Sequence, residues 1–164
     1  MDTFEPEDNV SPQDIPPDKR KTAESPKVGA KVENMPGRES VLLLDDIDDL
    51  RFVLKEVLEH LGYEVISCDG GKIALEILRT ATRLPNLIIC DISMPGMDGY
   101  TFFREVRKNP AWNGIYFVFM SGAKDDRRAA LEHGAEDYVA KPFPIADLLL
   151  VLDKYHKWLN GRGT

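Results

Sequence analysis

Residues 87–99 read Leu87-Ile88-Ile89-Cys90-Asp91-Ile92-Ser93-Met94-Pro95-Gly96-Met97-Asp98-Gly99. The four apolar residues at its start are too few for an independent helix and suit a buried strand over Leu87–Cys90. The run stops on a carboxylate, Asp91. Asp98 then suits the N-cap of a helix over Gly99–Lys108, whose apolar residues fall at spacings of three and four. A strand that feeds a helix is one unit of an alternating fold, and the same beat is to be expected on either side.

It is there. Apolar runs at Val41–Leu44, Tyr63–Ser67, Ile115–Met120 and Asp137–Ala140 predict four more strands. Between and after them Asp48–Leu61, Gly71–Thr82, Lys124–His133 and Ile145–Leu159 predict four more helices, the first most clearly through Leu50, Val53, Leu54, Val57, Leu58 and Leu61. Asp48 suits an N-cap, Pro144 a helix start, and Gly62 and Gly134 the C′ position of two others. Strict alternation of five strands and five helices implies a parallel sheet covered on both faces, a three-layer α/β sandwich, because right-handed crossovers return each helix to the sheet. Pattern alone leaves the strand order open. In open sheets of this kind ligands bind beyond the carboxyl ends of the strands.

The rest of the chain bounds what those ends can do. Residues 1–39 hold six of the eleven prolines and almost no apolar periodicity, so they are predicted to form a disordered N-terminal tail, with a folded part over 40–160 and a short end at 161–164. Ser11-Pro12 and Ser25-Pro26 suit modification, although a solvated linker is the simpler reading; Met35 leaves a later translation start open. No apolar run approaches the ~18 residues of a membrane span, and the acidic start lacks a secretory pattern, so the chain reads as cytoplasmic, with no membrane partner. The formal charge of −7 argues against direct nucleic-acid binding. Cys68 and Cys90 lack metal or redox spacing and read as buried thiols. His60 and His133, each in a helix's last turn, and His156, in a basic aromatic helix, read as structural.

Four strands end in residues able to do chemistry: Asp45-Asp46, Asp91, Ser121 and Lys141. Each alone is unremarkable. Together they bring three carboxylates, a hydroxyl and an ammonium to one rim. Two unit charges ~4 Å apart repel by about 4 kcal/mol at an effective dielectric near 20, so the carboxylates call for a cation. Hard oxygen ligands without His or Cys point to Mg²⁺ or Mn²⁺; the aspartate-rich run at 45–49 lacks calcium's twelve-residue loop. With such an ion, one carboxylate can attack phosphorus while Lys141 neutralises the transferring group and Ser121 donates to a phosphoryl oxygen.

The segments VLLLDD, LIICDISMPGMDGY, FVFMSGA and DYVAKPF resemble, in this order and spacing, the four signature blocks of the response-regulator receiver family, over residues 40 to about 160. The resemblance implies a flavodoxin-like sheet of order 2-1-3-4-5. It implies that Asp91 is the phosphoacceptor, that Asp46 ligates Mg²⁺ directly and Asp45 mainly through water, and that the backbone carbonyl of Ser93 completes the protein's share. Lys141 resembles the lysine that pairs with carboxylate or phosphoryl oxygens, and Lys141-Pro142 is expected to be cis. Ser121 is implied as the switch hydroxyl and Tyr138 as the switch aromatic. The implied output face is the fourth helix, fifth strand and fifth helix, with Arg127, Arg128 and Tyr138 in reach. Implied partners are a histidine kinase or histidine phosphotransfer protein and a downstream protein, homodimerisation being left open. Gly122 and Tyr116 depart from the residues frequent in the family, and small residues at Ser93 and Ala123 imply quick loss of the phosphoryl group.

Such a protein catalyses only its own phosphotransfer and autodephosphorylation and is not a turnover enzyme. Two alternatives compete. Asp46-Ile47-Asp48 faintly resembles the DxD motif of haloacid-dehalogenase phosphatases, and a pseudo-receiver would keep the fold without the chemistry. Nothing in the residues separates a stand-alone regulator, a relay shuttle and part of a longer hybrid protein.

Overall fold

A computed structural model describes residues 38–123 and 126–162. The tail predicted over 1–39 lies, apart from its last two residues, outside the described residues, as do Lys124 and positions 163–164. Five strands, β1 (Ser40–Leu44), β2 (Glu64–Cys68), β3 (Leu87–Asp91), β4 (Tyr116–Ser121) and β5 (Asp137–Ala140), pair in parallel in the order β2-β1-β3-β4-β5. The order left open by pattern, and implied by the resemblance, is therefore 2-1-3-4-5. Five helices alternate with the strands: α1 (Asp48–His60), α2 (Gly71–Thr80), α3 (Gly99–Lys108), α4 (Asp126–Glu132) and α5 (Ile145–Gly161).

Period-two alternation sorts the strand side chains onto two faces. Leu42, Leu44, Ile88, Cys90, Phe117 and Phe119 pack with Leu75 and Leu78 of α2, Phe102, Phe103 and Val106 of α3 and Ala130 of α4. Val41, Leu43, Leu87, Ile89, Val118, Met120 and Val139 pack with Leu54 and Leu58 of α1 and Leu148, Val151, Leu152 and Tyr155 of α5. Each large side chain so buried contributes about 1.5–3 kcal/mol. The central strands β1, β3 and β4 are buried along their whole length, so the ends of β1, β3 and β4 are held by a core on both sides.

Several boundaries differ from the sequence reading. Strand β2 is shifted one residue later than Tyr63–Ser67, because Tyr63 is taken by the turn after α1, its amide bonding Leu58. Helix α2 stops at Thr80 rather than Thr82, with Ala81 already extended. Helix α5 runs two residues past Leu159; the Arg162 guanidinium that follows lies 4.4 Å over the Trp158 ring. A short 3-10 turn, Pro110–Trp112, unforeseen in the sequence, buries Trp112. Asp48 is the first helical residue of α1, not its N-cap. Ile47 caps it instead, since the Asp45 side chain takes the Ile47 amide and Asp48 pairs with Arg51. Asp98 does cap α3, accepting from the Thr101 amide, and Gly62 and Gly134 adopt the positive φ expected of C′ residues.

The thiols lie where expected, while one histidine differs from its expected position. Cys68 and Cys90 are buried and free, and burial pushes the Cys68 thiol up to about 12 and Cys90 well above its ordinary value. His133 sits just past the end of α4 rather than within its last turn, although its amide still bonds Ala129; its ring lies against Tyr100. His156 bonds Tyr63 and Glu39, tying α5 to the start of the sheet.

Candidate phosphoacceptor site

The carboxyl ends of β1, β3, β4 and β5 converge on one rim. Asp45 follows β1 and is fully buried, Asp91 closes β3 and is nearly so, while Asp46 is exposed. Each offers a carboxylate oxygen, and the three oxygens lie within 4.8 Å of one another. Among the described residues no other cluster of this kind occurs, and no histidine joins it. Oxygen donors of this number and spacing, one of them open to solvent, suit a small hard divalent cation that keeps part of its water.

Each member is fixed from its own strand. The Asp45 amide donates to Cys68 O (3.3 Å), one carboxylate oxygen accepts from the Ile47 amide (2.9 Å), and its carbonyl accepts from Arg51 (2.6 Å). Asp91 sits where β3 meets the α3 connection, and the chain folds back so closely that the Gly99 amide reaches Ile92 O at 2.8 Å. A Cβ on residue 99 would stand 2.4 Å from the Asp91 carbonyl oxygen, so only glycine fits there. Ser93 lies in that connection, exposed, two residues beyond Asp91.

Lys141 comes from the end of β5. Its amide donates to Ser121 O (2.7 Å), the following Lys141–Pro142 bond is cis as expected, and its ammonium reaches Asp45 at 2.5 Å and Asp91 at 2.9 Å. One ammonium thus pairs with two of the three carboxylates. Burial pushes the Asp91 carboxyl up from its ordinary value; Lys141 pulls against this and the charges of Asp45 and Asp46 add to it. Burial alone would lower the Lys141 ammonium, but its hydrogen bonds to Asp45 and Asp91 outweigh that and hold it above the ordinary lysine value.

Ser121 ends β4, buried, with its hydroxyl accepting from the Ala123 amide (3.2 Å) and donating to the Asp126 carboxylate. Tyr138 is buried on the α3/α4 side of the sheet, and its hydroxyl donates to the carbonyls of Ser121 and Ala123, both at 3.2 Å. Asp126 was not singled out in the sequence. The helix predicted from Lys124 put it inside a turn, whereas α4 starts on it and faces it to Ser121; an acidic residue five positions beyond the serine was the available signal. Asp48, by contrast, points away, 80% exposed and paired with Arg51 at 2.5 Å, so the DxD arrangement of a phosphatase is not formed.

Together these features define a class: a doubly wound α/β domain with a lysine-braced carboxylate cluster at the carboxyl ends of its strands. Comparison with known proteins is consistent and more specific. The family described as the response regulator receiver domain matches residues 41–153. The Porphyra purpurea protein named probable transcriptional regulator ycf27 is 39% identical over 111 residues, covering 68% of this chain and 44% of that protein. Helicobacter pylori sensor histidine kinase CheAY is 34% identical over 115 residues, covering 69% of this chain and 14% of that protein. A crystal structure of a response regulator described as putative, from Chloroflexus aurantiacus, superposes with a TM-score of 0.66 at 34% identity, over 72% of this chain and 97% of that one. The receiver domain of a Pseudomonas aeruginosa sensor histidine kinase, which coordinates a magnesium ion in its active-site cleft, gives 0.65 at 28% identity over 72% and 97%.

This chain belongs to the response-regulator receiver family of two-component signalling. It spans 14% of the length of the CheAY protein and 44% of that of the Porphyra purpurea protein. Among the described residues no helix is long and apolar enough to cross a membrane.

Proposed function

We propose that this receiver accepts a phosphoryl group on Asp91 from a histidine kinase or histidine phosphotransfer protein and passes the change to a downstream protein. The observation that carries the reading is the rim itself: three carboxylate oxygens within 4.8 Å, one of them on a buried aspartate that shares an ammonium with its neighbour. An Asp91 oxygen attacks phosphorus, a P–O bond forms as the donor's P–N bond breaks, and the imidazole nitrogen leaves with the electron pair. Asp45, Asp46, Asp91 and the Ser93 carbonyl would hold Mg²⁺, with Mn²⁺ a substitute; when bound, the ion neutralises phosphoryl charge. Lys141 shares that task, and the Ser121 hydroxyl donates to a phosphoryl oxygen.

Exposed apolar residues flank the rim, Ile47 two positions beyond Asp45 and Ile145 four beyond Lys141, and give a donor protein a surface to hold. The output face is α4, β5 and α5, where Tyr138 lies next to the serine and Leu131 and Leu150 are exposed. The protein turns over only its own phosphoryl group and works in the cytoplasm. Incubating the full chain with acetyl phosphate and Mg²⁺ tests this. A mass gain of one phosphoryl group, absent in Asp91→Asn and in EDTA, is expected; no gain in the unaltered chain would favour a pseudo-receiver.

A further inference from the structure

The Ser121 hydroxyl has one proton to give, and in this structure it is already committed. It donates to the carboxylate of Asp126, while the same oxygen accepts from the Ala123 amide. An acceptor that carries a full charge makes a stronger bond than a neutral one, so this is a preferred resting partner. Asp126 is held in place from two directions. Its amide reaches Ala123 O at 3.4 Å, and its carbonyl accepts from the Tyr100 hydroxyl at 3.4 Å. Tyr100 in turn packs against Phe119 of the core at a ring separation of 5.1 Å. Tyr138 closes the other side through the Ser121 and Ala123 carbonyls. The charge of Asp126 is felt at both rings: after burial, it is the next cause raising the Tyr100 and Tyr138 phenols.

We infer that Asp126 is a positioning residue that competes with the phosphoryl group for the Ser121 hydroxyl and thereby sets how far the receiver rests in its inactive state. The inference rests on the reading of Asp91 as phosphoacceptor. A hydroxyl that must leave a carboxylate to reach the phosphoryl oxygens taxes every phosphoryl contact by the population of the resting bond. Removing the acceptor lifts that tax without touching Asp91, Lys141 or the metal carboxylates. Asp126 also repels an incoming anion, and the same substitution relieves that, so the test must separate the two.

A cycle on the full chain does so, using beryllofluoride with Mg²⁺ as the phosphoryl mimic and ¹⁹F NMR of the bound fluoride as readout. Asp126→Ala is expected to lower the half-saturating beryllofluoride concentration about tenfold, the value of one charged hydrogen bond, and Asp126→Asn by less, since its amide oxygen still accepts. With Ser121→Ala, the same Asp126 substitutions should change binding by less than about twofold. Circular dichroism of each variant checks that the fold is kept, and Asp126→Asn, which preserves size, serves if the alanine variant unfolds. An equal gain in both backgrounds would show simple charge repulsion and overturn the inference, as would no gain, or a loss, where Ser121 is intact. If the unaltered protein with Mg²⁺ binds no beryllofluoride, it is the phosphoacceptor reading that fails, and that result is read before any variant.

Discussion

Neutralising the acceptor should make the metal-free protein more stable. In Asp91→Asn one negative charge leaves a site where Lys141 lies 2.9 Å from Asp91 and the two other carboxylates lie within 4.8 Å. At an effective dielectric near 20 the attraction is about 5.7 kcal/mol and each repulsion about 3.5 kcal/mol, so repulsion leads by about 1 kcal/mol. Solvent around the exposed Asp46 trims that lead and the burial of Asp91 adds to it. Lys141 keeps Asp45 as a partner in the variant. A gain of about 1–2 kcal/mol follows, or about 4 °C and upward in Tm for a domain of this size.

The pH dependence has a definite sign. The folded Asp91 carboxyl sits above the 3.8 of the unfolded chain, so its stabilising contribution is full below 3.8 and is lost as pH rises through the folded value. At pH 7 the charge is a cost, and the advantage of asparagine is complete; on acidification toward 3.8 the two proteins should converge. Thermal unfolding of both in EDTA, at pH 7 and at descending pH, measures this, and saturating Mg²⁺ should then raise the unaltered protein more than the variant. A lower Tm for Asp91→Asn in EDTA at pH 7, or an advantage that ignores pH, would refute the charge accounting.

Other substitutions probe the supports of the same rim. Lys141→Met leaves the buried Asp45 and Asp91 without their shared cation and should cost about 3 kcal/mol in urea titrations with EDTA, with much of it restored by Mg²⁺. Gly99→Ala drives a Cβ to 2.4 Å from the Asp91 carbonyl oxygen; a loss of about 3 kcal/mol and slower uptake of phosphoryl from acetyl phosphate are expected, measured on the same preparation. Glu136→Gln weakens the paired bonds to Arg107 (2.9 and 3.1 Å) and the bond to the Phe117 amide (2.7 Å), and should cost about 2 kcal/mol in urea while leaving phosphoryl uptake intact.

The fold was legible because its signals are local. Short apolar runs bounded by turn residues and helices with a three-four period need no partner to be read, and five of each in alternation leave one layer arrangement. Strand order was not legible from pattern, since it depends on which edges meet. It came instead from the resemblance carried by VLLLDD, LIICDISMPGMDGY, FVFMSGA and DYVAKPF. The carboxylates and lysine were legible because each directly follows an apolar strand. Asp126 was not, because its importance lies in a side-chain direction set by where α4 starts. Asp48 misled for a related reason: its cap role passed to Ile47 once the Asp45 side chain claimed the turn.

Stability alone does not account for such a rim. A fold optimised only for stability would not keep three carboxylates for one ammonium, since asparagine at 46 or 91 preserves the shape and removes the conflict. Nor are the groups free to relax: Asp45 is fixed by the Ile47 amide, Lys141 by Ser121 O, and the Asp91 backbone by the close approach of Gly99. The excess negative charge is thus held in place by rigid strand ends, and near neutral pH a cation entering from the open side, at Asp46, would relieve it. The conflict at Ser121 has the same form in miniature, one proton and two claimants. Because the carboxylates and the hydroxyl sit at the ends of neighbouring strands of one sheet, the proposed phosphoryl group on Asp91 would add negative charge that its cation offsets at the first site and would contest the second. On the proposed function, that local change of charge would become a shift at α4 and Tyr138 for a partner protein to read.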